Sequence, residues 1–148
     1  MRGLRLAGRC ALALAGALLA GCDSAPPEDP ARQTEQRLVG TWLREYAQDG
    51  MQVRRVLVLE QGGRFRELVS ASASGVLAGT HAHAGEWLFD GTNLKRRYTS
   101  IDGTQPGAPA MPYATFELRF ESRNVFVGTD HIRQRQVRYH RVEDGTLP

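Results

Sequence analysis

Thiols are scarce in this sequence. Its two cysteines, Cys10 and Cys22, both lie within the first 22 residues. The rest of the chain therefore has no means of forming a disulfide bond and no Cys-x-x-Cys pair for redox chemistry or metal binding. A domain built from the later residues must be held together by its apolar core.

The sequence also lacks the short motifs of common catalytic sites. It contains no Gly-x-Ser-x-Gly turn, no His-Glu-x-x-His motif and no glycine-rich loop leading into a helix. Asp130 and His131 are adjacent, so a regular strand directs them to opposite faces of a sheet. The sequence therefore predicts a protein that is not an enzyme and that needs no cofactor.

No apolar run is long enough to span a membrane. Residues 10–21 form a run of 12, mostly Ala, Leu and Gly, whereas a transmembrane helix needs about 20. Arg2, Arg5 and Arg9 precede the run, with no acidic residue among them. A basic start, a short apolar core and small residues at its end predict a secretory signal peptide at 1–21.

The end of this run, Leu18-Leu19-Ala20-Gly21-Cys22, resembles the lipobox of bacterial lipoproteins. The resemblance implies that the thiol of Cys22 receives a diacylglyceryl group, that the signal is removed and that the new N-terminus gains a palmitate-type acyl chain. Several acyl chains anchor a protein stably, so the resemblance further implies a domain that is held at a membrane of the cell envelope and faces the periplasm. Asp23 resembles an inner-membrane retention signal, but inner and outer membrane both remain open.

Without the predicted signal, neither sign of charge is in excess. The chain has 19 Lys and Arg against 16 Asp and Glu, and three of the arginines lie within 1–21. The remaining chain has a formal net charge of zero. An exported neutral protein is not expected to bind nucleic acid, which requires a basic surface.

Large apolar residues are absent between Cys22 and Leu38, where the chain contains three prolines and many polar residues. Such a segment buries too little surface to offset the entropy of ordering it. Residues 22–37 are therefore predicted to be a flexible tether, with a short helix around 31–37 as an alternative. The domain is predicted at 38–143 and a short tail at 144–148.

Within 38–143, apolar residues alternate with polar ones or run in short blocks between turn residues. This pattern predicts strands near 39–46, 51–60, 64–73, 79–89, 94–102, 113–122, 124–133 and 135–142. Phe116, Leu118 and Phe120 alternate with charged residues, so one face of the sheet is buried. The predicted fold is all-β, an antiparallel eight-stranded up-and-down meander closed into a barrel, either filled or holding one small ligand.

Leu38-Val39-Gly40-Thr41-Trp42 resembles the Gly-x-Trp opening of lipocalins and of lipocalin-like domains in envelope lipoproteins. The resemblance implies that Trp42, after Gly40, plugs the closed end of the barrel, with Arg138 or Arg141 packed over the ring. Gly85-Glu86-Trp87 repeats the motif later in the chain. In the alternative interpretation, each Gly-x-Trp only starts a strand that carries a core aromatic residue.

His81 and His83 are predicted to share a strand face with Trp87, with Cα atoms about 6.7 Å apart. A third ligand from another strand, such as His131, would complete a metal site. The spacing identifies no such ligand, so ordinary barrel histidines are the expectation.

The run Lys95-Arg96-Arg97 is the densest in basic charge. Alternation sends Arg96 to the face opposite the other two, and Lys95 and Arg97 are expected to pair with Glu117 and Glu121.

The loop at 103–112 is the longest connection between strands and contains three prolines. It is either a spacer or a lid over the barrel mouth that offers Met111 to a ligand.

The function predicted first is a membrane-anchored barrel that binds a small apolar or amphipathic molecule. The candidate ligand-binding residues are His81, His83, Trp87, Met111, Phe116 and Phe120. The alternatives are a solid-cored module that interacts with another envelope protein and, more weakly, a metal-binding envelope protein. Core volume separates the first two, because several large inward aromatic residues leave little room for a ligand.

Overall fold

Eight antiparallel strands and one helix form the computed structural model, which describes residues 29–107 and 112–148. The helix is α1 (Pro30–Leu38), and the strands are β1 (Gly40–Gln48), β2 (Met51–Leu59), β3 (Arg64–Ala73), β4 (Val76–Phe89), β5 (Asn93–Ile101), β6 (Tyr113–Ser122), β7 (Val125–Asp130) and β8 (Arg135–Val142). The predicted number and order of strands are confirmed.

The strands pair in chain order, and the last pairs with the first to close a barrel. Closure is made by three residue pairs between β1 and β8, Thr41 with Val142, Trp42 with Arg141 and Leu43 with His140. A closed barrel leaves no unpaired strand edge, which protects it from pairing with other chains. The predicted all-β, up-and-down barrel is therefore confirmed.

Helix α1 lies at one end of the barrel, within the segment predicted as a tether with a possible short helix. Asp29 caps it by accepting a hydrogen bond from the backbone N–H of Ala31 at 3.0 Å, and Pro30 occupies the first turn, where its missing N–H costs nothing. Leu38 at the other end of the helix is fully buried. None of the helices in the described part of the chain is long and apolar enough to cross a membrane.

The apolar core occupies the half of the barrel nearest α1, which we call the closed half. Trp42 meets Phe126 edge to face with 4.7 Å between ring centroids, and Phe126 stacks on Tyr139 at 5.0 Å. The other core residues are Leu38, Leu57, Leu59, Phe65, Trp87, Leu94, Phe116 and Val137. Aromatic and branched side chains fill this half, whereas the opposite, open half contains more polar side chains.

The end of β7 and the partners of the basic run on β5 differ from the sequence-based predictions. Strand β7 ends at Asp130 rather than near residue 133, because the Asp130 carboxylate accepts hydrogen bonds from the backbone N–H groups of Ile132 and Arg133, both at 3.0 Å, and so forms a turn. Lys95 and Arg97 do lie outside the barrel, but their partners are Asp90 and Glu86. The predicted pairing with Glu117 and Glu121 is wrong, because the register sets Lys95 opposite Thr115 and Arg97 opposite Tyr113.

Candidate functional site

The closed end of the barrel is sealed around Trp42. The indole N–H donates to the Leu38 carbonyl at 2.7 Å, and the Arg141 guanidinium lies 4.2 Å from the centre of the ring system. Arg141 also donates to the carbonyl oxygens of Val39 and Arg37, so one arginine covers the indole and joins β8 to the end of α1. Arg138, the other candidate for this place, instead pairs with Glu121.

Glycine is required at Gly40 for two physical reasons. Its φ of 133° is a conformation that residues with a side chain rarely adopt. A Cβ atom there would also collide with the Arg141 guanidinium. The first Gly-x-Trp motif thus creates space for the arginine that covers Trp42.

The second Gly-x-Trp motif has a comparable geometry. Gly85 lies at a register shift between β4 and β5, and a Cβ atom there would collide with the Arg97 carbonyl and lie 2.8 Å from the Phe65 ring. Trp87 is buried, and its indole N–H donates to the Glu60 carbonyl at 3.0 Å. This motif therefore supports the core of the closed half.

The barrel interior contains a group of charged side chains at the boundary between its two halves. At its centre lies the fully buried Glu67. Its Oε1 accepts from Arg96 Nη1 at 3.0 Å, and its Oε2 accepts from Arg55 Nη1 at 2.8 Å and lies 3.0 Å from His83 Nδ1. We call these four residues the Glu67 cluster.

Strand alternation explains why a glutamate lies inside. Along β3, Phe65, Glu67 and Val69 are buried while Arg66 and Leu68 are exposed. The register sets Glu67 opposite Leu57 on one side and His83 on the other, both of which also face the interior. The same alternation turns Arg96 inward between Lys95 and Arg97, as predicted, and leaves its side chain 3% exposed.

Electrostatics keep Glu67 and Arg96 ionised. Burial by itself raises the pKa of Glu67, but the charge of Arg96, a hydrogen bond to His83 and the charge of Arg55 outweigh it and hold the pKa at about 2. Burial lowers the pKa of Arg96, yet the Glu67 carboxylate more than compensates and the net pKa is raised. Both groups therefore carry charge at neutral pH.

Other polar side chains surround the cluster on its open side. Arg55 Nε lies 3.4 Å from the hydroxyl of Tyr46, and Arg44 stacks on the Tyr46 ring at 4.2 Å. Burial raises the pKa of both Tyr98 and Tyr139. The nearby charge of Arg96 opposes this rise, but the net pKa of each phenol remains raised. Three arginines and three tyrosines therefore surround one carboxylate, and one of them, Tyr139, belongs to the core of the closed half.

The depressed pKa of Glu67 predicts a loss of stability in acid. A folded-state pKa of about 2 against an ordinary value of 4.5 means that the unfolded chain takes up this proton first as the pH falls. The stabilisation is complete above about pH 5 and is lost towards pH 2, which amounts to on the order of 3 kcal/mol. When Glu67→Gln is unfolded in urea between pH 6 and 2, its free energy of unfolding should lack the part of the pH dependence that Glu67 causes.

The matched control for the acid experiment is Glu45→Gln. Glu45 pairs with Arg54 on the outside of the barrel, and such exposed pairs contribute little. If the free energy of unfolding of Glu67→Gln depended on pH as it does in the wild type, Glu67 would not be the cause of the acid sensitivity.

The structure does not bring the predicted ligand-binding residues together. Trp87 and Phe116 lie in the packed core, and Phe120 lies at the closed end, 6.2 Å from Trp42 between ring centroids and beneath Arg37. His83 belongs to the Glu67 cluster. His81 is exposed, and its Nδ1 lies 2.8 Å from an oxygen of Asp102. Met111 and the lipidation candidate Cys22 lie outside the described residues, as do the predicted signal and the first part of the tether.

The histidines have separate partners. The rings of His81 and His83 are nearly parallel with centroids 6.4 Å apart, but each pairs with a different carboxylate, and His131 pairs with Glu117. Within residues 29–107 and 112–148, no group of three or more His, Cys, Asp and Glu side chains is placed to hold a metal ion.

Several hollows lie on the surface of the barrel, and two of them are relevant to the site. One of about 530 Å³ is lined by residues of β4 to β6, including Leu88, Lys95 and Tyr113. Another of about 460 Å³ lies between α1 and the turn after β2, beside Glu35 and Gln61. Arg96 borders the first hollow, but Glu67, Arg55 and His83 line neither of the two.

Sequence reasoning missed Glu67, Arg55 and Arg96 as site residues. The signal that could have found Glu67 is the alternation of side chains along a strand. In Phe65-Arg66-Glu67-Leu68-Val69, Glu67 lies on the same face as Phe65 and Val69. A charge at an apolar position of an alternating strand is a candidate buried ion. Its partners come from strands 12 and 29 residues away.

No protein-family model matches the chain, and no curated protein matches it.

Proposed function

We propose that the protein is a lipid-anchored lipoprotein of the bacterial cell envelope whose lipocalin-like barrel binds a small amphipathic ligand in its open half. The basic start, the short apolar run and the lipobox-like end at Cys22 support export and anchoring. The Gly-x-Trp motifs, together with the covered Trp42, support the relationship to lipocalin-like domains.

The Glu67 cluster is the observation that carries the binding function. Ionised side chains inside a barrel lose their hydration, and replacing such a group by apolar residues often leaves stability unchanged or improves it. A barrel that served only as a rigid body would be well served by an apolar interior. Buried charge of this kind therefore favours a role in recognising a polar group.

The ligand's position follows from how the two halves are filled. Trp42, Phe65 and Phe126 fill the closed half. At the cluster, the side chains of Arg55 and His83 remain 24% and 17% exposed, so both keep some contact with solvent. Val53 and Val69 supply inward apolar surface above them. The open half thus combines the charged groups of the Glu67 cluster with the apolar side chains of Val53 and Val69, an arrangement that suits an amphipathic molecule.

Native mass spectrometry of the full-length protein, released from its own membrane in mild detergent, tests both parts of this proposal. The expected spectrum shows a chain that begins at Cys22, carries diacylglyceryl and acyl groups, and retains a small noncovalent ligand. Cys22→Ala is the matched control and should keep its signal and gain no lipid, since alanine forms no thioether. A wild-type protein with an unmodified Cys22 would refute the anchoring.

A second candidate function is a solid barrel that docks onto another envelope protein. The hairpin of β3 and β4 favours it, because Val76 and Leu77 at its tip are 70% and 62% exposed. Exposed apolar side chains at a loop tip are common features of contact surfaces. Mass spectra without any bound molecule, from protein that is folded and lipidated, would favour this candidate over ligand binding.

A further inference from the structure

We propose that Arg55 and Arg96 bind the carboxylate of the ligand, which makes the ligand a single-chain carboxylic acid held with its head at the Glu67 cluster and its tail towards the mouth. This inference rests on the proposed binding function and names the chemical class of the ligand.

The charge inside the barrel is unbalanced. Two guanidinium groups share one carboxylate, both of whose oxygens are occupied, Oε1 by Arg96 and Oε2 by Arg55 and His83. Arg44 adds a third positive charge nearby. Positive charge in a poorly hydrated interior is costly without a counter-charge. An anion that enters the open half would supply it.

Hydrogen-bond donors also remain unused. Arg96 donates to Glu67 through Nη1, while its Nε is buried and has no partner among the described residues. A buried N–H without an acceptor costs free energy that a ligand oxygen would recover. The Arg96 side chain is 3% exposed, so the missing acceptor must come from inside the barrel.

The shape of the site favours a carboxylate with an apolar tail. Guanidinium groups bind carboxylates through two parallel hydrogen bonds. A single negative charge balances the excess of Arg55 and Arg96, the two arginines that donate to Glu67, while Arg44 stacks on Tyr46 instead. The packed closed half leaves no space below the cluster for a chain. The tail must therefore extend past Val53 and Val69 towards the mouth, where both side chains face the interior.

Calorimetric titration of the full-length protein in detergent tests this assignment, with hexanoate and hexan-1-ol as the probes and detergent alone subtracted. The two probes share an alkyl chain and differ in charge. Hexanoate is expected to bind at least roughly tenfold more tightly, because a hydrogen bond to a charged group contributes about 1.5 to 3 kcal/mol and 1.4 kcal/mol corresponds to tenfold.

Arg55→Gln is the decisive variant and Arg54→Gln is its matched control. Arg55 faces the interior, whereas its neighbour Arg54 pairs with Glu45 outside. Arg55→Gln should weaken hexanoate binding at least roughly tenfold and leave hexan-1-ol binding unchanged, and Arg54→Gln should alter neither. Arg55→Lys, which keeps the charge but not the two-pronged geometry, should give an intermediate affinity and provides a second folded variant.

The outcomes separate this inference from the proposed function. Equal binding of the two probes, with Arg55→Gln and Arg54→Gln alike, would overturn the carboxylate assignment while amphiphile binding stands. Binding of neither probe to protein that is folded and carries no copurified molecule would overturn both.

Discussion

Glu67→Ala is expected to lower the free energy of unfolding by about 3 to 5 kcal/mol, because it leaves the buried Arg96 and the partly buried Arg55 without their counter-charge. Arg96 loses the acceptor of its Nη1 and keeps an Nε that already lacks one. The loss should appear as a lower urea midpoint for the full-length protein, with an unchanged slope if the unfolded state is unaltered.

A triple variant provides the control for this result. Arg55→Met, Glu67→Leu and Arg96→Met together replace the charged group by apolar side chains, and such replacements are often neutral or stabilising. The triple variant should therefore unfold at a higher urea concentration than Glu67→Ala alone. A cost below about 1 kcal/mol for the single change would mean that the cluster is hydrated and paired no more strongly than a surface ion pair.

Trp42→Ala is expected to be comparably harmful, at about 3 to 5 kcal/mol, for a different reason. The indole is fully buried against Phe126 and beneath Arg141, so its removal leaves a cavity as well as losing apolar burial. The loss is a large part of the roughly 5 to 15 kcal/mol that holds a domain folded. Thermal unfolding followed by circular dichroism should show a much lower midpoint.

Leu88→Ala is the matched control for Trp42→Ala. Leu88 is a large apolar residue on a barrel strand, but its side chain lies on the outside and is 52% exposed. Its removal should change the melting temperature little, since surface substitutions usually fall within about 0.5 kcal/mol. Melting of Trp42→Ala within a degree or two of wild type would show that Trp42 does not plug the barrel, and the lipocalin-like relationship would lose its main residue-level support.

The barrel was predictable from the sequence because alternation and turn residues act locally. Phe116, Leu118 and Phe120 face the interior as the pattern predicts. The start of β4 at Val76 was less accessible, since the prediction began that strand at residue 79. Val76 and Leu77 are exposed at a hairpin tip, so burial does not mark the boundary, although the turn at Ser74 and Gly75 directly precedes it.

The Glu67 cluster was not predictable to the same degree. Parity places Glu67 inside, but its partners depend on the register and curvature of several strands, which no local pattern specifies. His81 and His83 illustrate the same limit. The sequence pattern predicts their shared strand, whereas their different partners, Asp102 in the turn after β5 and Glu67 on β3, depend on how other segments pair with β4.

The closure between β1 and β8 has a consequence for the order in which the chain can acquire its structure. Each neighbouring pair from β1–β2 to β7–β8 joins segments that follow one another, so these pairs can assemble as the polypeptide emerges. The seam is different, because Trp42 must meet Arg141, and Arg141 must reach the Arg37 and Val39 carbonyls across 104 and 102 residues. A chain that folds from its N-terminus would therefore keep two open sheet edges until its last strand was available, and during that interval it would be most exposed to proteases and to mispairing with other chains.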